Sequence, residues 1–215
     1  MKINLKMWTF RVLFLLVGLT IAHLGVTLFL QADLGSDPYN VLIQGLFRKS
    51  PWPEGLAVTH GRGHMAISFL IILVLLVVDR SYIRIGTLLC MVLGGPIIDV
   101  FTVVLQNVIN NESAFAWRVS CLVLGCVILA FGMTIVIKSL AGTGPNDLVA
   151  VVISEKGKWK FGIIRIVVDV CFALSGFLLG GTIGLGTVIC AFLVGPTAQI
   201  FFHISEKICG KLVKE

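Results

Sequence analysis

The residues best equipped for chemistry in this chain are written twice. LGSDPYNVL at Leu34–Leu42 and AGTGPNDLV at Ala141–Val149 each set a glycine and a small hydroxyl residue ahead of a proline. Each then follows the proline with a polar pair, Tyr39-Asn40 or Asn146-Asp147. A proline in the first turn of a helix lacks only an N–H that would have no helical partner there, so Pro38 and Pro145 read as helix starts. A helix start presents unbonded N–H groups and a partial positive charge. Two such starts brought together near the middle of a membrane would hold a small polar, even anionic, organic solute. The expected contacts are Gly35, Ser36, Asp37, Tyr39 and Asn40 from the first phrase. Gly142, Thr143, Gly144, Asn146 and Asp147 are expected from the second. The plainer reading makes both phrases interfacial turns kept for folding.

The remaining polar residues in apolar runs each carry two readings. Arg165 and Asp169 stand four apart on one helix face, as an ion pair would, yet Arg165 could instead border the cavity and grip an anionic group. Asp99, just past Gly95-Pro96, could couple a proton or end a helix near the interface. His23 is either a packed, hydrogen-bonded side chain or a proton relay. Asp99, Asp169 and His23 are thus candidates for coupling or for lining the cavity. His60 and His64 could form a weak metal pair or simply mark a loop entering a helix. The six cysteines fall mostly in apolar runs with no CxxC pair and read as small packing residues, and no metal or cofactor is expected. No GxSxG, HExxH or P-loop occurs, so enzyme chemistry is not expected.

Composition decides what must position these groups. With 57% hydrophobic and 13% charged residues, the chain has a surplus of apolar surface that only lipid can cover. The N-terminal apolar run continues without a small-residue cleavage site and reads as a retained first helix. Long segments are expected at about 9–31, 63–79 and 84–107, and again at 116–138, 161–179 and 185–206. The short ones at 38–48 and 145–154 cannot cross about 30 Å of hydrocarbon at 1.5 Å per residue and read as broken or re-entrant helices. If they do not cross, twelve Lys and Arg residues face the cytoplasm with both termini, and Arg48, Lys49, Arg62 and Arg118 face out. Eight crossings would also satisfy the positive-inside rule, so length decides for six. The net charge of +6 suits anionic lipid headgroups rather than nucleic acid.

Internal duplication is the strongest signal. Gly25–Pro38 aligns without a gap on Gly132–Pro145, and IGTLLCMVLGGPIIDVF at Ile85–Phe101 aligns on LGTVICAFLVGPTAQIF at Leu185–Phe201. The expected architecture is therefore all-α and membrane-embedded. It has two tandem, inverted repeats, 1–108 and 109–215, each with three spanning helices and one short broken helix. The first half's extra length lies in SPWPEGLAVTHGRG at 50–63.

QADLGSDPYNVLIQGL, GTGPNDLV and FLLGGTIGLGTVICAFLVGP resemble the bacterial YczE/YyaS/YitT-type membrane proteins, with their repeated LGxxPxD-type phrase and later GT…GP motifs. Asn40 stands where that family commonly has Asp, whereas Asp147 keeps the acid. The resemblance implies a polytopic protein of the bacterial cytoplasmic membrane that moves small solutes or exported compounds, and no catalytic residue. Three function classes follow: a secondary transporter or exporter, a channel-like or lipid-moving protein, and a non-transporting scaffold. The partners expected are a small-molecule solute and membrane lipids, with a second copy of the chain in a homodimer as a further candidate.

Overall fold

The computed structural model describes residues 5–35, 37–49, 60–106, 109 and 113–213. Ser36 and most of the 50–63 loop lie outside the described residues. Eight α-helices are described: α1 (Leu5–Ala32), α2 (Pro38–Lys49), α3 (His60–Asp79), α4 (Ile85–Leu105), α5 (Phe115–Lys138), α6 (Pro145–Gly157), α7 (Phe161–Leu178) and α8 (Leu185–Val213). A short 3₁₀ turn, Arg80–Tyr82, joins α3 to α4. All except α2 and α6 are long and apolar enough to cross a membrane, which makes six spans. The expected segments therefore match closely, and the main difference is at the C-terminus, where α8 continues to Val213 rather than ending near 206. The two short segments are helices of 12 and 13 residues, beginning at the prolines named above.

The core is the α1–α5 pair, with α8 packed on α5 and α4 on α1. Glycine makes this crossing close. A Cβ on Gly25 would come within 2.5 Å of the Gly125 carbonyl oxygen, and one on Gly132 within 2.3 Å of the Ala22 nitrogen. Gly18 meets Gly132 and Val136, while Gly25 meets Gly125 and Leu129, so the two helices run antiparallel. At the far end Arg118, at the start of α5, donates to the Ala32 and Asp33 carbonyls that close α1, each at 2.7 Å. α3, α4, α7 and α8 turn large apolar side chains outward, such as Val77, Val104, Leu178 and Ile200, as a lipid-facing surface requires.

Each phrase is tied to the start of a helix from the other half of the chain. The Gly86 N–H at the start of α4 donates to the Ala141 carbonyl (3.0 Å), and the Gly186 N–H at the start of α8 donates to the Leu34 carbonyl (2.8 Å). Gly35 (φ +118°) and Gly142 (φ +152°) turn the chain at these contacts in conformations that L side chains rarely adopt. They pack directly on Gly184 and on Gly86. Because α1 and α5 are antiparallel, the phrases that follow them leave opposite ends of the core. α2 then folds back along α7, where Gly45 and Gly176 meet, and α6 is tied to the end of α3 by the Lys156–Asp79 ion pair at 2.8 Å. The Ser81 backbone N–H and hydroxyl also donate to Asp79 Oδ1, at 3.0 and 2.6 Å.

Candidate functional site: a polar cavity between two helix starts

α2 and α6 bring their N-terminal ends to one small cavity of about 40 Å³, room for a few water-sized groups. Asp37, Tyr39 and Asn40 line it from the first phrase, and Gly144, Pro145, Asn146 and Asp147 from the second. Leu19, Ala22, His23 and Val26 of α1 form one wall, Leu129, Met133 and Val136 of α5 another, with His64 and Cys90 closing it from α3 and α4. Polar chemistry is thus concentrated at the two helix starts, against walls made by the apolar core.

Both helix starts already carry a carboxylate. Asp37 caps α2, its Oδ1 accepting the Asn40 backbone N–H at 3.2 Å. Gly144 occupies the corresponding cap position of α6 and supplies no side chain; there the acid is Asp147, in the first turn. A carboxylate in this place meets the partial positive charge of the helix end. Asp147 also accepts from Arg165 Nη1, while Arg165 Nε donates to Asp169 Oδ2 at 3.0 Å. The guanidinium is therefore committed to two carboxylates, and Arg165 is 2% exposed and Asp169 1%. Asp169 Oδ1 has no hydrogen-bond partner among the described residues.

A second polar network faces this one from the first half. The Tyr39 hydroxyl lies 2.9 Å from the Ser68 hydroxyl, and its ring stands edge-on to His64, centroids 5.3 Å apart. His23 meets His64 at 5.8 Å between ring centroids, and its Nδ1 donates to the Leu19 carbonyl at 2.8 Å, which fixes the tautomer of the neutral ring. Gly94 makes room for both rings: a Cβ there would sit 2.8 Å from His23 Nε2 and 3.2 Å from the His64 ring.

The other expected site residues divide. Gly35 lies outside the cavity, in a separate recess of about 250 Å³ with Asp33, Gln44 and Thr182. Gly142 and Thr143 line a different recess of about 110 Å³ with Arg84 and Glu155. Arg165 and Asp169 form the intrahelical ion pair that their spacing implied; neither lines the cavity, and Arg165 reaches it only through Asp147. Asp99 is half-buried on α4, away from the cavity. His23 does line it. His64, read from sequence only as half of a weak metal pair or a loop residue, is a wall residue, and Ser68 was not foreseen. One signal in the sequence would have found both: matching Gly61 to Gly162 sets His64 opposite Arg165 and Ser68 opposite Asp169.

A membrane fold with duplicated Gly-Pro helix starts around a buried acid–guanidinium cluster can be compared with known proteins. The family described as a family of unknown function, DUF6198, matches residues 9–203. The chain belongs to this family. YczE of Bacillus subtilis, described as an uncharacterized membrane protein, is similar at 29% identity over 87% of this chain and 81% of its own length. YyaS of the same organism is similar at 25% identity over 89% and 92%. An uncharacterized protein of Haemophilus influenzae is similar at 28% identity over 94% and 89%. The resemblance read from the repeated phrases thus returns two of its names. No solved structure matches.

Proposed function

We propose that this membrane protein is a secondary transporter of a small polar solute, which binds at the cavity between the starts of α2 and α6. The observation that carries the reading is the convergence of these two helix starts, one from each half, on one cavity, where they place Asp37, Asn40, Asn146 and Asp147 against apolar walls. A broken helix from each half is how many transporters build a solute site. The antiparallel α1–α5 pair supports two inverted repeats, 1–108 and 109–215, as do the matching bonds from Gly86 to Ala141 and from Gly186 to Leu34. The two recesses beside the phrases serve as vestibules from opposite faces. On this reading the protein sits in the bacterial cytoplasmic membrane with both termini cytoplasmic, the orientation that puts most of its Lys and Arg inside. It carries no catalytic chemistry.

The test is flux. Purified protein, screened first by thermal shift against a metabolite panel, is reconstituted in proteoliposomes and assayed with the solutes that stabilise it. Saturable, gradient-dependent uptake is expected, and Asp147→Ala should reduce it at least about a hundredfold, since the substitution removes a charge and a transition-path contact together. The variant should still insert and purify. Non-saturable flux would mark a channel, and no flux of any stabilising solute would remove the transport reading.

A further inference from the structure

The cavity and the cluster behind it are short of positive charge. Asp37 and Asp147 line the cavity, and Asp169 is buried one step behind. The guanidinium of Arg165 is shared by Asp147 and Asp169 and lies within electrostatic reach of Asp37. Three buried carboxylates thus share one fixed cation, and the shortfall is visible as an acceptor without a donor among the described residues, Asp169 Oδ1. Charges taken out of water are costly unless they are matched. The start of α2 is occupied by Asp37, which accepts the Asn40 N–H, and the Asp147 carboxylate stands in the first turn of α6, so an anion arriving between them would meet negative charge. The anion-gripping role expected of Arg165 is not what this geometry supports.

The other ionisable groups around the cavity do not reverse this balance. His23 comes from α1, Tyr39 from α2, His64 from α3 and Cys90 from α4. α5 offers only Leu129, Met133 and Val136. His23 is held as a ring that donates from Nδ1, leaving Nε2 toward Gly94.

We propose that the transported solute is a small monovalent cation, an alkali ion or a short alkylammonium, which binds between Asp37 and Asp147 as a proton leaves the Asp37–Asp147–Asp169 cluster. This rests on the transporter reading above and names its substrate class. One bound monovalent cation and one retained proton bring the three carboxylates and Arg165 to neutrality. A cavity of about 40 Å³ admits such an ion and excludes a bulky one in the state described. Tyr39, His23 and His64 add aromatic rings to the cavity wall.

The experiment uses the full-length protein in detergent and in weak buffer with a pH-indicator dye. Sodium, potassium and methylammonium chlorides are titrated against N-methylglucamine chloride at equal ionic strength, with the N-methylglucamine salts of phosphate and succinate as the anion arm. At least one small cation is expected to raise the Tm saturably and to release protons as it binds; which one distinguishes an alkali ion from an amine. Asp37→Asn and Asp147→Asn should each weaken that binding about tenfold or more. Asp79→Asn, at the exposed α3–α6 tie, should bind as the parent does. Where an Asn variant does not fold, proton release by the parent decides. Stabilisation by phosphate or succinate and by none of the cations would overturn the cation assignment and leave the solute site standing. Cation binding without proton release would overturn the exchange. No shift with any cation overturns the proposal, and an absence of flux for every solute in proteoliposomes would take the transporter reading with it.

Discussion

Arg165→Ala is expected to leave little folded protein. The substitution strands Asp147 and Asp169, both buried and both bonded to the missing guanidinium. Removing one partner of a buried ion pair costs about 3–5 kcal/mol, most of it the penalty of the charge left behind. Here two charges are left, so the loss should reach the upper end of that range. A detergent-solubilised sample should show low yield, aggregation by size-exclusion chromatography and a strongly depressed Tm. Arg165→Lys should be intermediate: one ammonium keeps the charge but loses the planar fork that bonds Asp147 through Nη1 and Asp169 through Nε. Pairing Arg165→Ala with Asp169→Ala should recover part of the loss, because the double variant buries one uncompensated carboxylate fewer. A parent-like Tm for Arg165→Ala would mean that the cluster does not exist as described.

Gly132→Leu is expected to break the core apart by a different route. A Cβ at this position would lie 2.3 Å from the Ala22 nitrogen and 2.6 Å from the Gly18 carbonyl oxygen, both backbone atoms that cannot swing aside. The α1–α5 crossing must therefore open, and with it the wall of the cavity that Ala22 and Met133 share. Overpacking a tight contact costs about 1–3 kcal/mol and sometimes more. In a membrane the close approach of small residues is itself what holds helices together, so the higher figure applies. The expected result is a Tm drop with loss of solute stabilisation. A conservative change at an outward position of α5, Leu124→Ile, should leave both unchanged.

Much of this was legible in the sequence because the strongest signals are local. Proline and glycine mark the helix starts at Pro38 and Pro145 without help from tertiary structure, and a ten-residue apolar segment is too short to span whatever it packs against. The i, i+4 spacing of Arg165 and Asp169 likewise needed only helical geometry. What sequence could not show was which face of each helix meets which neighbour. The small-residue contacts that set the core, Gly18 and Gly25 against Gly125 and Gly132, lie in uniformly apolar helices whose buried and lipid-facing sides look alike. Glycines of α7 and α8 do the same elsewhere: a Cβ on Gly176 would lie 2.4 Å from the Val41 carbonyl oxygen, and one on Gly195 2.6 Å from the Gly162 carbonyl oxygen. The phrases also proved to be divided in space. Pro38 and Pro145 lead into the cavity residues, whereas Gly35 and Gly142 turn away to support α8 and α4. The second partner of Arg165, Asp147, is 18 residues away in the chain, and no periodicity connects them.

The central claim is that the cavity between α2 and α6 is reached from both faces of the membrane in turn, and accessibility of a single cavity residue tests it most directly. With the six native cysteines replaced, Asn146→Cys would be treated with a membrane-impermeant maleimide in right-side-out and in inverted vesicles. Asp33→Cys, beside the end of α1, and Lys156→Cys, at the end of α6, mark the two faces. The account predicts that Asp33→Cys reacts only from one side, Lys156→Cys only from the other, and Asn146→Cys from both, with protection by a bound solute. Reaction of both markers from the same side, or of Asn146→Cys from one face or neither, would contradict it.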